Sequence, residues 1–181
     1  MPLEPRVRRL VTLVNRLDRA SEGASMAERR ASSAATARRL GFTVMPAGPD
    51  PAEQRDVMVP VEGGQIRVRL YLPHGSGPAP LHVYLHGGGW VIGSPETHED
   101  ICRILANLTQ SVVISPDYRL APQNVFSAAI DDCAATLGYM ADNADTLGID
   151  PQRIAVGGDS AGGNLAAVLA LMARDGDAPK V

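Results

Sequence analysis

Apolar side chains recur along this chain with two different periods, and the switch between them outlines its organisation. Leu3, Val7, Leu10, Val11, Val14 and Leu17 stand three and four residues apart, which predicts an amphipathic helix over about Leu3 to Arg19. A second helical stretch runs from about Ser25 to Leu40, with Gly41 where a C-capping glycine belongs. The Pro/Gly-rich stretch Pro46 to Pro51 reads as a linker. The period then becomes two. Val57, Val59 and Val61 alternate with other residues, Gly63-Gly64 marks a turn, and Ile66, Val68, Leu70 and Leu72 alternate again, the pattern of a β-hairpin.

Downstream, short apolar runs alternate with longer helical patterns. Strands are predicted at Leu81–Leu85, at Val112–Ser115 and, after Asp150-Pro151, at Arg153–Val156. Helices are predicted at Glu96–Thr109, at about Ser127–Asn143 and at about Asn164–Ala173. The last has Leu165, Val168, Leu169 and Met172 facing inward. Strands separated by helices of ten or more residues make βαβ units and a parallel sheet, so the fold class is α/β. The division expected is a helical N-terminal part with linker, residues 1–50, and an α/β part, residues 51–181.

Composition narrows the functions. With 181 residues, 45% of them hydrophobic, the chain can bury a core as one domain with a small appendage. A net charge of −3 gives no support to nucleic-acid binding. Cys102 and Cys133 lie far apart with no C-x-x-C and no nearby histidine partner, so neither a disulfide framework nor a metal site is expected. No apolar run reaches the roughly 18 residues of a membrane span. Met1–Ala20 lacks the continuous apolar segment of a secretory signal, which leaves a cytoplasmic location as the expectation. Its helix carries Arg6, Arg8, Arg9 and Arg16, but Glu4 and Asp18 interrupt the basic face. Docking on its own domain is expected rather than membrane binding.

Two segments carry chemistry. Gly158-Asp159-Ser160-Ala161-Gly162 fits G-x-S-x-G between a β-branched strand and an apolar helix. A serine on such a sharp turn projects its hydroxyl above the sheet, and its flanking glycines admit close backbone approach. The helix that follows points its first amides toward developing negative charge. The second segment, His86-Gly87-Gly88-Gly89-Trp90, runs from a strand into three glycines and so exposes N–H donors with no side chain in the way. Alone such a run is more often a flexible loop or a phosphate cradle; paired with the serine turn, the oxyanion reading is the stronger. His86 ends a different strand from the serine and reads as a structural residue holding the loop.

Here the chain resembles the hormone-sensitive-lipase-like esterases of the α/β-hydrolase fold. Leu81 to Trp90 with Thr97-His98 resembles their HGGG signature, Tyr118-Arg119-Leu120-Ala121-Pro122 their Y-R-L-A-P block, and Leu147 to Asn164 their nucleophile region. The resemblance implies a mostly parallel sheet, N-terminal helices acting as a cap over the site, and hydrolysis of small, short-chain carboxylic esters without metal or organic cofactor. It implies Ser160 as nucleophile and the amides of Gly88, Gly89 and Ala161 as oxyanion hole, supported by His86, Gly87 and Asp159. Gln123 stands where the family usually has glutamate, a departure expected to alter local hydrogen bonding only.

The triad order in this fold is serine, acid, histidine, yet His74, His82, His86 and His98 all precede Ser160, and only Asp175 and Asp177 follow it as acids. The chain is therefore expected to be truncated after the nucleophile helix, weak or inactive alone, and prone to self-association through an uncovered sheet edge. Three readings stay open from sequence: an esterase completed by a further segment or partner, a non-catalytic ligand-binding protein, and an inactive product. Substrate and oligomeric state are open as well.

Overall fold

A computed structural model of the chain describes residues 4–20, 23–44 and 49–181. The alternating stretches form an antiparallel hairpin, β1 (Glu53–Val61) and β2 (Gly64–Leu72), closed by Glu62-Gly63, with Gly63 at φ 80°. Gly64 thus opens β2 rather than sharing the turn. Three strands follow: β3 (Ala79–Leu85), β4 (Val112–Pro116) and β5 (Ile149–Gly158). The sheet order is β1-β2-β4-β3-β5. The sheet is mixed: β4, β3 and β5 pair in parallel, while β2 pairs antiparallel with both β1 and β4.

Helices cover both faces. α4 (Ala128–Asp142), the short α5 (Ala144–Leu147) and α6 (Ala161–Asp175) enclose the larger core, in which Val68, Leu70, Val83, Ile114, Leu137 and Leu169 are buried. On the other face α3 (Glu99–Thr109) covers Tyr71, Tyr84 and Val113 with Cys102 and Ala106. Every residue of β4 is buried, as befits a central strand. Among the described residues β5 pairs only with β3, and its Ile154 and Val156 are half-buried. Cys102 of α3 and Cys133 of α4 are free and buried.

Three expectations change. The helix predicted from Glu96 begins as a 3-10 turn, Pro95–His98, closed by the Thr97 amide donating to the Ser94 carbonyl three residues back at 3.1 Å. The strand predicted at Arg153–Val156 extends back to Ile149 through a register shift opposite Pro80 and Leu81. The N-terminal helices are α1 (Pro5–Ala20) and α2 (Met26–Val44), and α2 runs through Gly41 instead of ending there. A lone glycine inside a helix costs about 1 kcal/mol, which the turns on either side can absorb. α2 starts at a reciprocal cap: the Ser25 amide donates to Glu28 at 2.7 Å and the Glu28 amide to the Ser25 hydroxyl at 3.3 Å. Of the apolar stripe on α1, Val7 and Val11 stay exposed at 44% and 41%. Leu3 and the side chains of Leu10, Val14 and Leu17 lie outside the described residues, as do positions 45–48 of the linker.

Candidate active site

Ser160 sits between β5 and α6 with φ 51° and ψ −118°, a left-handed conformation that a non-glycine residue rarely adopts. Its neighbours enforce the bend. A Cβ placed on Gly158 or on Gly162 would run into the carbonyl oxygen of Leu85 at the end of β3. The turn is held from behind, since the Asp159 carbonyl accepts the amides of Gly162 at 2.8 Å and Gly163 at 3.2 Å. The Ser160 residue is exposed at the C-terminal end of the parallel strands.

The glycine turn leaves the adjacent strand. Leu85 pairs with Gly158, so His86 to Gly89 emerge beside the serine turn. Gly88 (φ 126°) and Gly89 (φ 61°) are both left-handed, and the Gly88 carbonyl accepts the amides of Val91 at 3.1 Å and Ile92 at 3.0 Å. Among the described residues, the amides of Gly88, Gly89 and Ala161 have no hydrogen-bond acceptor. Asp159 links the two turns: Oδ1 accepts the Gly87 amide at 2.9 Å, the Tyr84 hydroxyl at 3.1 Å, and lies 3.2 Å from His98 Nε2. A side chain on Gly87 would collide with that carboxylate.

His86 is wholly buried, and its Nδ1 donates to the Gly87 carbonyl at 2.8 Å. The Tyr118 ring stacks on it at 4.2 Å, and the Tyr118 hydroxyl donates to the His86 carbonyl at 2.6 Å. Burial, partly opposed by the Gly87 hydrogen bond, depresses its pKa to about 4. His86 is therefore a neutral pillar under the glycine turn. It has no hydrogen bond to Ser160.

A family model described as the alpha/beta hydrolase fold matches residues 82–181, more than half of the chain. The carboxylic ester hydrolase LipN of Mycobacterium tuberculosis is 46% identical over 121 residues, which are 66% of this chain and 32% of that protein. This chain belongs to the hormone-sensitive-lipase-like esterases of the α/β-hydrolase fold. An arylesterase of Saccharolobus solfataricus is 45% identical over 123 residues, 68% of this chain and 40% of its own length. A solved Pyrobaculum calidifontis esterase matches 99% of the chain with 56% of its own, at 43% identity and a TM-score of 0.87. The thermostable carboxylesterase EstE1, cloned from a metagenomic library, matches 86% of the chain with 52% of its own, at 51% identity and a TM-score of 0.80. The chain thus spans well under half of these curated relatives and a little over half of the solved ones.

Around this esterase-family site the fold assembles residues that pattern reading passed over. Tyr84, His98 and Tyr118 hold Asp159 and His86, although only their membership of family blocks marked them. Arg30 of α2 donates through Nε to the Val91 carbonyl at 2.8 Å, and through Nη2 to the Ala121 carbonyl at 2.7 Å and to Gln123 Oε1 at 2.9 Å. Gln123 is the position departing from the family pattern, and its amide oxygen accepts where a carboxylate would have formed an ion pair. Among the described residues no group of three or more His, Cys, Asp and Glu is placed to hold a metal, and no helix is long and apolar enough to cross a membrane.

Proposed function

We propose that Ser160 is the nucleophile of a carboxylic-ester hydrolysis, with the amides of Gly88, Gly89 and Ala161 receiving the oxyanion. The observation that carries this is the left-handed Ser160 two residues beyond Gly158, whose strand partner Leu85 leads into a glycine turn with the Gly88 and Gly89 amides unengaged. The Ser160 Oγ attacks the ester carbonyl carbon while a base takes its proton, and the carbonyl oxygen becomes an anion facing the three amides. Collapse expels the alcohol, which takes up the proton, and leaves an acyl-serine. Water then attacks that ester, releasing the carboxylic acid and restoring the hydroxyl. Such a site serves short-chain esters and draws on no cofactor.

Among the described residues none of the four histidines hydrogen-bonds Ser160. His98 is engaged by Asp159 and by Thr97 Oγ1 at 2.7 Å, and His86 is enclosed. Turnover of a p-nitrophenyl butyrate by the 181-residue chain alone is expected near background. Co-expression with the second half of one of the esterases named above is expected to restore a rate that Ser160→Ala abolishes. A restored rate unaffected by Ser160→Ala would remove the nucleophile assignment. The unpaired side of β5 supports self-association between copies, which size-exclusion chromatography would register as a shift to early elution.

A further inference from the structure

Arg67 of β2 is the meeting point of three carboxylates from different parts of the fold. Its Nη1 donates to Glu96 Oε1 at 2.6 Å and its Nη2 to Glu96 Oε2 at 3.1 Å, a two-pronged ion pair. Nη2 also donates to Asp117 Oδ2 at 3.0 Å, and Nη1 lies 3.4 Å from Asp56 Oδ2 of β1. The backbone repeats the tie to Asp117, whose amide donates to the Arg67 carbonyl at 2.9 Å. Arg67 and Glu96 are mostly shielded, their side chains 27% and 28% exposed. Burial alone would raise the Glu96 pKa, but hydrogen bonds from Arg67 and the Ser94 side chain hold it at about 2. The pair is therefore ionised throughout the neutral range.

Each tie ends within two residues of a side chain that braces the candidate site. Two positions after Glu96, His98 reaches Asp159 Oδ1, and Thr97 Oγ1 lies 2.7 Å from its Nδ1. Thr97 is itself fixed to Ser94, accepting its amide at 3.0 Å and donating to its carbonyl at 2.8 Å. One position after Asp117, Tyr118 stacks on His86 and donates to its carbonyl. On the far side of Tyr118, Arg119 is anchored separately, its Nη2 donating to Asp132 Oδ1 of α4 at 2.7 Å. His98 and Tyr118 thus approach the serine turn and the glycine turn from two segments that share one guanidinium.

We propose that Arg67 is a positioning residue: by gripping Glu96 and Asp117 together, it sets where His98 meets Asp159 and where Tyr118 meets His86. It acts through those residues, and the role rests on the reading of the two turns as nucleophile and oxyanion hole. A guanidinium suits the task because its rigid fork serves two carboxylates at once in fixed directions, which an ammonium does not.

The two arms can be separated in the full chain by NMR. Glu96→Gln is expected to move the His98 imidazole resonances and leave those of the His86 ring in place. It should also speed exchange of the Gly87 amide, which Asp159 holds, by about tenfold. Asp117→Asn is expected to do the reverse, moving the His86 ring resonances and leaving Gly87 exchange unchanged. Arg67→Lys is expected to move both, with the fold retained because Arg69 still bonds Asp56 and lies 3.2 Å from Glu96. A uniform rise in exchange across the sheet in all three variants would mark Arg67 as a general stabiliser and overturn the proposal. So would unmoved His98 and His86 resonances in Arg67→Lys. In the enzyme restored by co-expression, Arg67→Lys is expected to lower kcat about tenfold at nearly constant KM, because misplaced reacting groups slow the chemical step. An unchanged kcat would also overturn it. Restored hydrolysis that survives Ser160→Ala, with the arm-specific shifts intact, would remove the nucleophile reading and leave the grip of Arg67 standing.

Discussion

The carboxylate of Asp159 accepts a hydrogen bond from the Gly87 amide across 72 positions of sequence, at 2.9 Å. The residue before Ser160 thus fixes the first peptide of the glycine turn, and the same oxygen gathers Tyr84 and His98. Asp159→Ala is expected to cost about 1–2 kcal/mol, since hydrogen bonds to a charged group are worth up to about 3 kcal/mol but this one is half exposed. The Gly87 amide should then exchange its proton much faster. Asp159→Asn keeps an acceptor oxygen and should retain most of the protection. Equal exchange rates in all three proteins would refute the clamp.

Backbone strain at Ser160 predicts a trade between stability and chemistry. Glycine adopts φ 51° freely, so Ser160→Gly is expected to raise stability by about 1 kcal/mol or more while removing the hydroxyl proposed as nucleophile. A thermal melt shifted upward by roughly 2–4 °C is the expected reading. Gly162→Ala should do the opposite, driving a methyl into the Leu85 carbonyl at a cost of about 3 kcal/mol.

His86 predicts the acid side of the stability profile. Burial lowers its pKa from 6.5 to about 4, and burial lowers that of His82 as well. Between those two pH values the unfolded chain binds more protons than the folded one. Stability is therefore complete above pH 6.5 and falls as pH drops toward 4, by about 3 kcal/mol from His86 across the window. Melts from pH 7.5 to 5 should fall more steeply for the parent than for His86→Gln, and parallel curves would count against it.

Arg30 predicts how α2 is fastened. It bonds the Val91 carbonyl, and the Val91 amide bonds Gly88. It also bonds the Ala121 carbonyl, and the Ala121 amide donates to Trp90 at 2.8 Å. Arg30→Ala should speed hydrogen exchange and proteolysis within α2 and raise exchange at Val91 and Ile92. Gln123→Glu supplies a carboxylate to the same Nη2 and should slow both, by roughly 0.5–1 kcal/mol of protection. Unchanged exchange in α2 for both variants would show that other contacts hold the helix.

Much of the frame was legible because burial imposes periodicity. Val57 to Leu72 alternated because one face of the hairpin meets the core, and the run at Val112 was uniformly apolar because β4 is covered on both faces. Ser160 and the glycines were legible because close backbone approach tolerates few residue types. Long-range side-chain partnerships were not. Nothing in local pattern pairs Arg30 with Ala121, Tyr118 with His86, or Arg119 with Asp132, since each depends on how loops from different strands meet. Gly41 misled for a related reason: a glycine marks a helix end only when the chain beyond it turns away, and here α2 continues.

The serine turn and the glycine turn leave neighbouring parallel strands at the paired positions Gly158 and Leu85. Their separation is therefore inherited from the sheet, whose strands lie roughly 4.8 Å apart. Backbone hydrogen bonds act here as a ruler, indifferent to side-chain identity. Side chains around the two turns can be exchanged, while the distance between the turns stays as the backbone sets it.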